Sequence, residues 1–138
     1  MIVSGLSPRY GGEMKNDQNT KFIAIVDDDQ SVQSALQDLM EADGLSARCF
    51  GSAEQFLESG LHRKAACLIV DIRMPGMSGL ELQARLKADR SNTPIIFVTA
   101  HGDARVRMQA MREGAAEFLI KPFDHQVLLK RVRAALDM

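Results

Sequence analysis

The chain has 138 residues, with 17 Lys and Arg against 18 Asp and Glu, a net charge of −1 at pH 7, and 46% apolar against 25% charged residues. That balance is ordinary for one globular domain large enough to bury a proper core, and it lacks the basic excess of a nucleic-acid footprint. No apolar run nears the roughly 20 residues that a membrane span needs, and no basic-then-apolar leader opens the chain, so a cytoplasmic protein is expected.

Residues 1–20 are polar, rich in Gly, Ser and Asn, and without sustained periodicity, which reads as a flexible N-terminal extension; Met14 is an alternative natural start. A domain is expected over residues 21–138. Phe22–Val26 is a short apolar strand ending in Asp27, Asp28 and Asp29. Val32, Ala35, Leu36, Leu39 and Met40 share one face of a helix over Ser31–Glu41, which Gly44 stops. Ser46–Phe50 is a weaker strand. Ser52 and Gln55 form a capping box for a second helix with Ala53, Phe56 and Leu57 inward. Ala66–Val70 is the clearest strand and ends in Asp71. After the turn Met74–Gly79, Ser78 and Glu81 cap a third helix with Leu82 and Leu86 inward. Ile95–Thr99 follows Pro94 as a fourth strand, Ala104–Arg112 is a helix closed by Gly114, Glu117–Ile120 is a fifth strand, and Val127–Leu136 is a fifth helix with Leu128, Val132, Ala135 and Leu136 aligned.

Five βα units with strands that are nearly all apolar imply a parallel sheet covered on both faces, wound by right-handed crossovers. Ligands in such folds bind at the carboxyl ends of the strands. Those ends carry Asp27 to Asp29, Asp71, Thr99 and Lys121-Pro122; only the second strand, ending in Phe50-Gly51, lacks such a group. Clustered carboxylates are costly unless a cation joins them. Oxygen-only ligands suit Mg²⁺. A lysine and a hydroxyl suit phosphoryl oxygens, and one carboxylate in such a setting can act as a nucleophile. Asp29 has a simpler use, as N-cap of the first helix.

The motifs VDDD at Val26–Asp29, VDIRMPGMSG at Val70–Gly79, VTA at Val98–Ala100 and KPF at Lys121–Phe123 agree in type, order and strand position with one family. The chain resembles the receiver domain of two-component response regulators, the CheY-like fold, over about residues 21–137. With TAHGD at Thr99–Asp103 and EFLIKPF, it is most similar to the FixJ-type subgroup. The resemblance implies a single (βα)5 doubly wound domain with sheet order 2-1-3-4-5. Cys49 and Cys67 then fall on non-neighbouring strands, as buried small hydrophobes rather than a disulfide or zinc site.

By the same resemblance Asp71 is the phosphoacceptor. Asp28 and Asp27 are the acidic pair that holds Mg²⁺ (Mn²⁺ could substitute), with Asp71 and the Arg73 backbone carbonyl as further ligands. Thr99 is the switch hydroxyl, Lys121 pairs with the phosphoryl group, and Phe118 stands where the aromatic switch is expected, although a phenylalanine at such a position is more often a core residue than a switch and the two uses are compatible. Arg73 and His101 border the site and influence how fast phosphate is lost; Lys121-Pro122 is expected to be a cis peptide. The implied partners are a sensor histidine kinase or a histidine phosphotransfer protein, and a second copy through the face of helix 4, strand 5 and helix 5. Direct nucleic-acid or membrane contact is not expected. The FixJ-type resemblance favours the N-terminal piece of a longer regulator over a stand-alone receiver. His62 and His125 are expected at the surface.

Two other readings compete with a phosphorylation switch. Asp27-x-Asp29-x-Ser31 approximates the DxDx[TV] motif of haloacid-dehalogenase-type phosphatases, but Ser31 is unusual there, no acidic pair follows the lysine, and Asp71 would have no role. A degenerate receiver that only binds partners is opposed by the presence of every acidic, hydroxyl and lysine position. The domain is therefore expected to be a signalling domain that catalyses only its own phosphotransfer and slow autodephosphorylation.

Overall fold

A computed structural model describes residues 21–137; the extension read at residues 1–20 lies outside the described residues. Strands β1 (Phe22–Val26), β2 (Ala47–Phe50), β3 (Ala65–Val70), β4 (Ile95–Thr99) and β5 (Glu117–Ile120) alternate with helices α1 (Gln30–Ala42), α2 (Ala53–Glu58), α3 (Gly79–Ala88), α4 (Ala104–Arg112) and α5 (His125–Ala135). All strand pairs are parallel and the order is β2-β1-β3-β4-β5.

The apolar run at Phe22–Val26 makes sense in that order. Lying between β2 and β3, it is buried on both faces. Phe22, Ala24 and Val26 face Ala53, Phe56, Leu82, Leu86 and Ala110 from α2, α3 and α4. Ile23 and Ile25 face Leu36, Met40, Leu128, Leu129 and Val132 from α1 and α5. β3 and β4 repeat the pattern, and each fully buried Ile, Leu or Val contributes about 1.5–3 kcal/mol through burial. Among the described residues no helix is long and apolar enough to cross a membrane.

Several local expectations need correction. Ser52 accepts the Gln55 N–H at 3.0 Å, but the Gln55 side chain takes the N–H of Gly51 at 2.6 Å instead of Ser52's, so the box at α2 is half formed. At α3 both halves are present. Helix α5 starts two residues earlier than Val127, because Asp124 caps it by accepting from Gln126 N–H at 2.7 Å; Leu129 is then buried beside Leu128. A 3₁₀ turn at Leu61–Arg63 has no signature in the hydrophobic pattern. It leaves His62 half-buried, edge-on to Phe56 at 6.2 Å, rather than at the surface. Cys67 is fully buried and desolvation pushes its thiol up to about 12. Cys49 is only half-buried, because β2 is an edge strand. Both thiols are free.

Helix α3 ends in a Schellman turn, with Ser91 N–H bonded to Leu86 C=O at 2.9 Å and Arg90 N–H to Lys87 C=O at 3.0 Å. The turn residue is Arg90, at φ 62°, where α1 and α4 use Gly44 and Gly114. A side chain in the left-handed region costs about 1 kcal/mol, partly offset by the greater unfolded-state freedom of Gly. Arg90→Gly is therefore expected to stabilise the fold by about 0.5 kcal/mol, read as a higher urea midpoint at unchanged slope. An unchanged or lower midpoint would show that the exposed Arg90 side chain has a favourable use.

Candidate phosphoacceptor and metal site

The sheet order sets the site. The first residues beyond the ladders continue them: Asp71 N–H donates to Val26 C=O of β1 at 3.0 Å, and Asp27 N–H to Phe50 C=O of β2 at 3.1 Å. The β1–β3 pairing thereby sets Asp71 beside Asp27. One carboxylate oxygen from each of Asp27, Asp28 and Asp71 falls within 4.8 Å of the others. Asp27 is 1% exposed and Asp71 8%, while Asp28 is open to solvent.

Burial pushes the Asp27 carboxyl above the usual carboxylate range. The Asp29 N–H at 2.9 Å and the Lys121 ammonium oppose this, and the charge of Asp71 adds to it. Lys121 comes from the end of β5, 3.4 Å from Asp27 Oδ2 and 3.8 Å from Asp71 Oδ2. Its peptide bond to Pro122 is cis. Three acids facing one half-buried amine leave the rim short of positive charge. A hard divalent cation fits this donor set, since all its ligands are oxygen and one side is open to water.

Thr99 is fully buried, and its Oγ1 accepts the His101 N–H at 3.1 Å. His101 and Arg73 are exposed at the borders of the rim. Phe118 is 3% exposed, 6.2 Å from Phe97. Gly102 lies directly over its ring: a Cβ there would be 2.6 Å from Cε1. The third acid, Asp29, is a helix cap, accepting from Ser31 N–H at 2.8 Å and Val32 N–H at 3.3 Å, and its Oδ1 also takes the Ser31 hydroxyl at 2.6 Å. That engagement accounts for the DxDxS pattern without phosphatase chemistry.

Two contacts escaped the sequence reading. Gln33, in the first turns of α1, donates from Nε2 to the Asp27 carbonyl at 2.6 Å. Glu54 of α2 accepts the Met77 N–H at 2.8 Å across 23 positions. A helix-start Glu offers no sequence signal for a contact so far along the chain.

A family model described as the response regulator receiver domain matches residues 23–133. The response regulator protein TodT of Pseudomonas putida is 41% identical over 137 residues, covering 99% of this chain and 60% of TodT. The transcriptional regulatory protein FixJ of Azorhizobium caulinodans is 41% identical over 114 residues, 83% of this chain and 54% of FixJ. The chain thus spans little more than half the length of these relatives. The crystal structure of FixJ-N superposes with a TM-score of 0.77 at 35% identity, covering 85% of this chain and 94% of that one.

Proposed function

The chain belongs to the response regulator receiver domains, the signalling domains of two-component systems that interact with histidine kinases, and from that premise we propose that its acidic rim accepts a phosphoryl group on Asp71. The supporting observation is the convergence of the Asp27, Asp28 and Asp71 carboxylates within 4.8 Å, with Lys121 Nζ 3.4 and 3.8 Å from two of them.

In this reading the donor is a phosphohistidine on a sensor kinase or a phosphotransfer protein. An Asp71 carboxylate oxygen bonds to phosphorus as the phosphorus–nitrogen bond breaks, giving an acyl phosphate, and the departing ring nitrogen takes a proton from water to leave a neutral imidazole. Asp27, Asp28, Asp71 and the Arg73 carbonyl would hold Mg²⁺, or Mn²⁺ in its place, and the ion supplies charge neutralisation at the transferring group. Lys121 gives up its carboxylate partners to pair with a phosphoryl oxygen. Thr99 turns its hydroxyl from the His101 N–H toward the same group. Phe118, buried beneath Gly102, is the aromatic side chain that moves with it. Arg73 and His101, exposed beside the rim, influence how fast water removes the phosphoryl group.

Output is proposed to run through α4, β5 and α5. Met108, Met111, Ile120 and Val127 are 59%, 38%, 46% and 39% exposed there, an apolar set fit for a second copy or an attached effector domain. Recognition is by protein surfaces in the cytoplasm rather than by nucleic acid or membrane, with residues 21–138 acting as the receiver.

The test is intact mass after incubation with acetyl phosphate, with and without Mg²⁺. A Mg²⁺-dependent gain of one phosphoryl group, absent in Asp71→Asn, is expected. A gain that survives in Asp71→Asn, or none in the parent protein, would defeat the reading.

A further inference from the structure

Residues 72–78 follow Asp71 and include the Arg73 carbonyl. The loop is fastened at its far end by the start of α3, where Gly79 N–H bonds to Ile72 C=O at 2.8 Å and Ser78 and Glu81 cap each other reciprocally. Its tip is fastened from elsewhere. Glu54, half-buried in the first turn of α2, accepts the Met77 N–H at 2.8 Å. The neighbouring Gly76 has φ 77° and turns its α-carbon toward the same carboxylate: a Cβ there would stand 2.5 Å from Glu54 Oε2. An acid on one element and a residue without a side chain on another therefore specify a single contact.

Glu54 has an obvious local use, since an acid in the first turn of a helix is favourable to the helix dipole. That use needs neither the Met77 N–H nor a glycine opposite. Helix α2 contributes no other group to the rim. It is six residues long and is anchored in the core through Ala53 and Phe56. A charged acceptor on a backbone donor is among the stronger hydrogen bonds available to it.

We propose that Glu54 is a positioning residue for the metal site. It holds the loop tip so that Asp71 and the Arg73 carbonyl stay in register with Asp27 and Asp28, and it ties α2 to the phosphorylation site. The inference rests on the rim being a Mg²⁺ site, as read above. Partners that orient ligands without touching the metal typically carry about 10- to 100-fold in affinity, and a contact at the loop tip, four residues beyond Arg73, belongs at the low end of that range.

The test is a Mg²⁺ titration of the ¹⁵N-labelled full chain followed by backbone amide shifts, for the parent, Glu54→Gln and Glu54→Ala. Amide exchange at Met77 in the metal-free protein is measured alongside. Glu54→Ala is expected to weaken Mg²⁺ about 10-fold and to speed Met77 exchange by a similar factor. Glu54→Gln keeps an acceptor oxygen while losing the charge, and should stay within about 3-fold of the parent. Glu54→Asp gives a second route that leaves the strained turn at Gly76 untouched: it keeps an acid in the first turn of α2 but draws the carboxylate back by one methylene, so it is expected to weaken Mg²⁺ in the same direction, and it decides the question if Glu54→Ala does not fold. Parent-like Mg²⁺ affinity in Glu54→Ala and Glu54→Asp, or an equal loss in the Gln and Ala variants, would overturn the proposal while leaving the metal site intact. A parent protein that does not bind Mg²⁺ would overturn both.

Discussion

Asp27→Asn is expected to yield a more stable protein that has lost most of its Mg²⁺ response. Asp27 is 1% exposed; burial raises its carboxyl above the usual range, and the charge of Asp71 pushes the same way. The Asp29 N–H and Lys121 only partly compensate. Asn keeps the acceptor for Asp29 and removes the charge, so metal-free stability at pH 7 should rise by about 1–2 kcal/mol, or about 3–8 °C in thermal midpoint for a domain of this size. Mg²⁺ affinity should fall by at least about 10-fold.

The pH dependence follows from the raised pKa. A folded-state pKa above the unfolded one means that folding takes up a proton between the two values, so stability falls as pH rises through that window and the whole penalty stands above it. Below the unfolded value of about 3.9 both states are protonated and the penalty is gone. The advantage of Asp27→Asn over the parent should therefore be full at pH 7 and shrink toward nothing as pH falls through the raised pKa. Urea unfolding of both proteins in EDTA, at pH 7 and near pH 4, measures this. An equal advantage at both values would mean that the gain comes from packing, and no gain at pH 7 would mean that Lys121 already neutralises the site.

The same local chemistry explains what could and could not be foreseen. Strands were legible because β1, β3 and β4 are covered on both faces and so are almost purely apolar. The rim was legible because groups at the carboxyl ends of parallel neighbours must converge, whatever the side-chain detail. Asp29 could be separated from its two neighbours because a cap needs only local bonds. Failures cluster where a choice was settled by distant or competing partners. Gln55 had two N–H groups within reach and took that of Gly51. His62 is drawn against Phe56 by a 3₁₀ turn that no periodicity marks. Glu54 and Met77 are 23 positions apart, and only the folded chain brings them together.

Removing the amine should have the opposite effect to removing the acid. Among the described residues Lys121 is the one basic side chain within ion-pair distance of Asp27 and Asp71. In Lys121→Ala two carboxylates, 1% and 8% exposed, would face each other uncompensated. Breaking a buried pair by deleting one partner costs about 3–5 kcal/mol when both charges are fully desolvated. Lys121 is half-buried and Asp28 opens the rim to water, so about 2 kcal/mol is expected here. Two responses distinguish this electrostatic origin from lost packing. Mg²⁺ should stabilise Lys121→Ala by more than it stabilises the parent, because the ion replaces the missing charge. And Asp27→Asn should rescue the metal-free variant, so that the double mutant loses less than the sum of the singles predicts. The proposed phosphorylation of Asp71 should not be rescued: a cation that meets the phosphoryl oxygens as charge develops is worth about 100-fold in rate, and neither change restores it. Thermal melts of the four proteins with EDTA or Mg²⁺, beside their rates of mass gain with acetyl phosphate, separate the two roles of Lys121. Additive effects of the two changes with no extra Mg²⁺ effect would assign Lys121 to packing alone, whereas stability rescued without rate would show that the rim tolerates its crowded acids only because the group needed for the proposed chemistry also neutralises them.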